Sequence, residues 1–236
     1  MKILAIDTSS SYLSLAISDG DRLIHEINKD LKKRDHAKLL IPELKSMLEK
    51  VNFKLNDIDV FCVGLGPGSF TGLRIALSSI KGLNLAYNKK ILGISSMDAI
   101  AYNINNKNNI IVCIRDARKK KVYGCLYKRD NELIRLTDYL LLTFDKFCDL
   151  VKKVARRENR EVIFTADGVK SFKNDILKIM PDSSFAKKKY WHPYARNLAE
   201  LSLEMIKNNK PFNSIDEIEP LYLHSQYANI TKPKKL

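Results

Sequence analysis

The sequence predicts an α/β protein of two lobes, each a mixed β-sheet with packed helices. Three observations predict it. Residues 2–87 read in order as three strands, a helix, a strand and a helix. A polar, low-complexity stretch from Asn103 to Asn109 then breaks the pattern and reads as a linker. After it the chain begins again with three strands, so the pattern repeats although the sequence does not.

Residues 2–7 (KILAID) are apolar and end in an aspartate, and residues 12–18 (YLSLAIS) form a second strand. Asp19 and Gly20 make a hairpin turn, the D-G pair being a strong turn signal, and residues 22–28 return as a third strand. A helix over roughly 36–51 follows from the three-four spacing of Ala37, Leu40, Ile41, Leu44, Met47, Leu48 and Val51. Asp35 is its expected N-cap, and Pro42 inside the pattern predicts a kink or a late start. Residues 58–65 (IDVFCVGL) are nearly all apolar, as in a strand buried on both faces of a parallel sheet. A glycine-rich turn (64–72), a long helix to about Tyr87 and a short strand near 91–95 complete the first half. This half is of the kind found in the actin and sugar-kinase architecture.

The second half reads as strands at 109–115, 122–128 and 132–137, a helix at 143–157, a strand at 161–166, and helices at 169–178 and 195–208. The division that follows is an N-terminal lobe over 1–104, a C-terminal lobe over 109–228, and a basic tail over 229–236 expected to be disordered.

Composition narrows the function. The chain has 236 residues and is 45% hydrophobic, enough for a sizeable core. No stretch approaches the roughly 18 apolar residues that span a bilayer, and the opening MKILAIDTSS is too short for a signal peptide. No membrane association and a cytoplasmic location are therefore expected. Cys62, Cys113, Cys125 and Cys148 form no CxxC pair and read as buried, reduced thiols. The formal charge of +14 suits a nucleic-acid partner. Against that, the clusters at Lys32 to Arg34, Arg118 to Lys121, Lys152 to Arg157, Lys187 to Lys189 and Lys232 to Lys235 are scattered, and no aromatic residues interleave as in a stacking platform.

Two segments could carry chemistry. Asp7, with Thr8, Ser9 and Ser10, ends the first strand before a small polar turn, where a carboxylate can hold a metal–phosphate group. The same aspartate can instead accept hydrogen bonds from its own turn. Gly64, Gly66, Pro67, Gly68, Ser69, Phe70, Thr71 and Gly72 form a loop able to expose N–H groups at a helix start. It is neither a Walker A loop nor a dinucleotide fingerprint, and Ser69 reads equally well as a simple N-cap. Asp7, Ser9, Gly66, Gly68 and Ser69 are thus the candidate phosphate site, vestigial if the chain does no chemistry. The histidines His25, His36, His192 and His224 form neither HxxxH nor HExxH, and no GxSxG elbow is present; no catalytic or metal-ligating residues are assigned. Asp116, after a strand, reads foremost as a turn former.

The helix over 70–87 carries the most information. Leu73, Ala76, Leu77, Ile80, Leu83 and Tyr87 form one stripe; Gly72, Ile75, Ser79, Gly82 and Ala86 form a second; Arg74, Ser78 and Lys81 form a polar edge. A surface helix needs one apolar face, and this one has nearly two. Either both are buried within the chain, or one packs on the sheet while the small-residue stripe admits a partner. The expected partner face is Leu40, Leu44, Met47, Gly72, Ile75, Ala76, Ser79, Gly82 and Ala86.

The runs ILAIDTSSSYLSLAI, VGLGPGSFTGLRIALSSIKGL, DARKKKVYG and PLYL (Pro220 to Leu223) occur in order across most of the chain, and together they resemble the TsaB (YeaZ) family. The resemblance implies an actin-like ATPase fold (ASKHA, RNase H-like). It implies a non-catalytic subunit that pairs with the catalytic TsaD through N-terminal-lobe helices and recruits the ATPase TsaE. TsaD transfers threonylcarbamoyl, from an adenylate supplied by TsaC, to adenosine 37 of tRNAs, giving t6A. The implied subunit has no cofactor of its own; ATP is used by the complex, and tRNA is met through it. TsaD carries an HxxxH metal motif that this chain lacks. Where the family has arginine after PxYL, His224 stands here. The exposed helix also allows a homodimer in the absence of the partner. The alternatives are an ATP-dependent small-molecule kinase or carbamoyl transferase acting alone through Asp7 and the 64–72 loop, and a metallopeptidase suggested by an old family label.

Overall fold

The computed structural model describes residues 1–31 and 35–223; the basic segment Lys32 to Arg34, His224 and the tail over 229–236 lie outside the described residues. The first sheet contains β1 (Lys2–Asp7), β2 (Tyr12–Asp19), β3 (Arg22–Asp30), β4 (Val60–Gly64) and β5 (Lys90–Ile94) in the order β3-β2-β1-β4-β5. β1 to β3 are antiparallel neighbours, and β4 and β5 add in parallel, with Ile3 opposite Val60 and Val60 opposite Lys90. The second sheet contains β6 (Asn109–Asp116), β7 (Lys121–Arg129), β8 (Leu133–Arg135), β9 (Leu140–Thr143), β10 (Glu161–Thr165) and β11 (Ser184–Phe185). Its order is β11-β10-β6-β7-β8, with β9 also paired to β7. Both sheets follow one plan: an antiparallel trio extended by two parallel strands. Each unit is thus α/β, a mixed sheet with packed helices.

The helices are α1 (His36–Lys50), α2 (Phe70–Tyr87), α3 (Ser96–Tyr102), α4 (Phe144–Glu158), α5 (Gly168–Ile179) and α6 (Ala195–Lys207). α1 starts at His36 and runs on through Pro42, so the late start expected of that proline does not occur. Asp35 makes no side-chain cap bond; its backbone carbonyl accepts from Lys38 and Leu39 instead. Ser69 does cap α2, its hydroxyl accepting from the Gly72 N–H at 3.3 Å.

Strand alternation explains the first sheet's core. Leu4 and Ile6 of β1 face α1 and α2, where Leu40, Leu44, Met47, Ala76, Leu77 and Ile80 pack. Ile3 and Ala5 point the other way, against Ala195, Leu198 and Ala199 of α6. The sheet is therefore covered on both faces, as the unbroken apolar run of β4 requires.

That packing corrects the expected division. The C-terminal lobe was expected to span 109–228, but Pro193–Leu221 clusters with Met1–Ala99, leaving Ile100–His192 as the compact part of the second unit. The cause is specific. Ala195 and Ala199 fit against Ala5 and Ala16, the Ala195 N–H donates to Ser14 Oγ at 2.7 Å, and Asn197 donates to the Ala99 carbonyl at 2.8 Å. In the second unit, α4 and α5 cover one core made by Ile110, Val112, Ile114, Val122, Leu126 and Phe164. Among the described residues no helix is long and apolar enough to cross a membrane.

Candidate functional site: a closed aspartate turn and an open helix face

Asp7 ends β1, beside the C-terminal ends of β4 and β5, where open α/β sheets place their ligands. The carboxylate is fully buried. Oδ1 accepts from the Ser9 N–H at 2.7 Å, and Oδ2 accepts from the Ser96 hydroxyl at 2.6 Å. Ser96 Oγ in turn accepts from the Gly66 N–H at 3.0 Å. The glycine loop closes on the same turn, with the Ser69 N–H donating to the Ser9 carbonyl at 2.8 Å. Gly64 is required by this closeness, because a Cβ there would overlap Asp7 Oδ2.

These residues do not fit a metal–phosphate group. Asp7 and Ser9 have no exposed surface, Gly66 is buried, and of the half-buried Gly68 and Ser69 the serine is spent on the α2 cap and the Ser9 carbonyl. A carboxylate so enclosed ties three segments of backbone together and presents nothing to a ligand. Asp7→Ala is therefore expected to cost roughly 2–4 kcal/mol of stability, since it strands a buried N–H and a buried hydroxyl. A urea denaturation midpoint unchanged from the native chain would contradict this.

The far end of α2 is open. Gly72 lies against the aspartate turn: Thr8 Oγ1 donates to its carbonyl at 2.7 Å, and a Cβ would overlap the Thr8 carbonyl oxygen. Ten residues later, almost three turns on, the environment reverses. A Cβ on Gly82 would meet nothing within 4 Å, Ala86 is exposed, and Leu85 is 85% exposed. Beside this end of α2 lies an apolar groove of about 190 Å³, lined by Ile41, Leu44, Leu48, Phe53, Leu55 and Leu83 and edged by Lys45 and Glu49. Ile41 on its rim is 49% exposed.

The four cysteines are free and buried, and burial pushes the Cys62 and Cys148 thiols up to about 12. Both stay protonated at neutral pH, which suits packing and not nucleophilic chemistry.

A family model described as TsaD: tRNA N6-adenosine threonylcarbamoyltransferase matches residues 27–230. The tRNA threonylcarbamoyladenosine biosynthesis protein TsaB of Bacillus subtilis is 30% identical over 187 residues, which cover 78% of this chain and 79% of that protein. The chain belongs to the TsaB branch of the family that this model describes. The TsaB of Buchnera aphidicola from Schizaphis graminum is 29% identical over 89% of this chain and 95% of its own. The crystal structure of YeaZ from Pseudomonas aeruginosa superposes with a TM-score of 0.78 over 94% of this chain and 99% of its own, at 22% identity, a likeness of fold.

For this TsaB-family chain, the nine residues expected at a partner face divide in two. Leu40, Leu44, Met47, Gly72 and Ala76 are buried in the first unit: Leu40, Leu44, Met47 and Ala76 pack in the core on the sheet, and Gly72 lies against the Thr8 carbonyl. Ile75 and Ser79 are half-buried, and Gly82 and Ala86 are exposed. Sequence reasoning missed Leu85, which sits three turns after Arg74 on the polar edge; an apolar residue in that row was the available signal. It also missed Ser96, whose signal was a pair of serines between an apolar strand and a helix start.

Proposed function

We propose that this chain is a non-catalytic scaffold subunit in tRNA t6A synthesis. It pairs with a TsaD-type catalytic subunit through the open end of α2 and the groove beside α1, and the pair recruits a TsaE-type ATPase. The chain holds no cofactor of its own; ATP is consumed elsewhere in the complex, and tRNA is modified by the partner. The single observation that carries this reading is the surface around Gly82, Leu85 and Ala86. Small residues there admit another backbone, and a leucine exposed to 85% loses water contact only when something covers it. The match to a transferase family model supports a partner of the same fold, because two like folds can pair about a pseudo-two-fold as the copies of a homodimer do. Without the partner, the same surface supports a homodimer.

The enclosure of Asp7 favours this reading over an enzyme acting alone. The experiment is t6A synthesis on a tRNA transcript, reconstituted from purified TsaC-, TsaD- and TsaE-type proteins with and without this chain. Omission is expected to lower the yield by roughly two orders of magnitude, the scale of an interface worth about 3 kcal/mol. This chain with ATP and magnesium, but no partner, is expected to make none. Turnover by the isolated chain would overturn the proposal.

A further inference from the structure

We infer that one edge of the second unit's sheet is a docking surface for the phosphate backbone of RNA. The surface is read from its own charges; the choice of RNA over another polyanion rests on the t6A reading. β10 runs parallel to β6 and β7 runs antiparallel to it, so the end of β6, the start of β7 and the end of β10 share one edge. β9 ends there too, since Thr143 pairs with Lys121, and α4 and α5 begin there. Arg118, Lys119, Lys120 and Lys121 in the β6–β7 turn, Lys146 in the first turn of α4 and Lys170 in that of α5 are all exposed at this edge. None of these six cations forms an ion pair among the described residues.

Three carboxylates lie nearby. Asp116 accepts from the Arg118 N–H at 2.7 Å, and Asp167 is held by the buried Arg115 through two bonds of 3.1 Å. Asp145 occupies the first turn of α4, where the helix dipole favours an acid. At the opposite edge two of the cations are held in ion pairs, Lys128 with Glu158 at 2.9 Å and Arg160 with Asp130 at 2.6 Å. At the first edge six unpaired cations outnumber the three carboxylates beside them.

The turn itself is built against local preference. Arg118, Lys119 and Lys120 have φ of 63, 50 and 57°, in the left-handed region. Lys119 and Lys120 hold the two central positions of a tight hairpin, closed by Lys121 N–H to Arg118 O at 2.9 Å, where Asn-Gly is the favoured pair. The Phe144 N–H donates to the Lys120 carbonyl at 3.0 Å and fixes the turn to the start of α4. Long basic side chains kept in a conformation that disfavours them mark a site where function outweighs local fit. The turn offers no aromatic platform, so it grips phosphates without reading bases.

The test uses the full chain and a fluorescent tRNA transcript, with anisotropy measured across a salt series. The variant is Lys119→Asn with Lys120→Gly, which restores the favoured turn pair while removing two charges. Native chain is expected to bind, and the variant to bind about tenfold more weakly at moderate salt, with the log–log salt slope shallower by between one and two. Its melting temperature is expected to stay level or rise, which a merely structural role for these lysines would not allow. Equal affinity and slope for both chains would overturn the inference. So would loss, in the variant, of binding to phosphatidylserine vesicles while tRNA binding is unaffected. tRNA binding that depends on the two lysines sustains the inference even if omission of the chain leaves t6A synthesis intact, so the two readings fail separately.

Discussion

Gly82→Trp is expected to abolish pairing with a TsaD-type subunit and leave the chain folded. The residue lies on the exposed turn of α2, and a Cβ there meets nothing within 4 Å, so the indole projects into solvent in the free chain. Tryptophan is also a better helix former than glycine, so stability is expected to hold or improve slightly. A partner helix seated on Gly82 would be displaced by the ring. The expected loss is about 3 kcal/mol or more, a hundredfold or greater rise in Kd, by calorimetric titration. Leu85→Asp provides an independent check, because it removes an 85% exposed leucine without adding bulk at Gly82. Both variants are expected to run as monomers where the native chain self-associates. Native affinity in both would place the partner face elsewhere.

The second large effect is on stability and comes from the same helix. Gly72→Ala places a methyl group on the Thr8 carbonyl oxygen, which is backbone of a buried turn and has no rotamer to give way. Either α2 shifts from β1 or the bond from Thr8 Oγ1 to the Gly72 carbonyl breaks. A loss of about 3 kcal/mol is expected, at the upper end for overpacking, with a melting temperature lower by roughly 6–12 °C. Gly82→Ala, ten residues on, is expected to gain about 0.5–1 kcal/mol, since a helical glycine with free space around it benefits from a side chain. Equal effects at the two positions would mean that the stripe is uniformly buried or uniformly exposed, contrary to the structure.

Much of the fold was legible because its signals are long. α1, α2 and α4 each offer 15 or more residues of helical period, and β1 and β4 are continuous apolar runs. β9 and β11, of four and two residues, fall below any such window, and their pairing is set by the neighbouring strands. The placement of α6 was not legible for a different reason. Its period shows an apolar face but not which sheet will receive it, and that choice depends on the small residues Ala5, Ala16, Ala195 and Ala199 meeting in space. The same limit applies to the site. The glycine spacing of α2 marks a small-residue stripe, yet only the approach of Thr8 to Gly72 distinguishes its closed half from its open half. Asp7 was legible as a polar residue at a strand end; its partner Ser96, 89 residues away, was not.

The central claim is that this chain contributes a surface and not a reactive centre. It is tested most directly by t6A yield in the reconstituted reaction, with native chain and Gly82→Trp supplied in turn at equal concentration. Native chain is expected to support modification, and Gly82→Trp to give the low yield seen with no chain added. Full yield with Gly82→Trp, or t6A made by the native chain without its catalytic companion, would contradict the account.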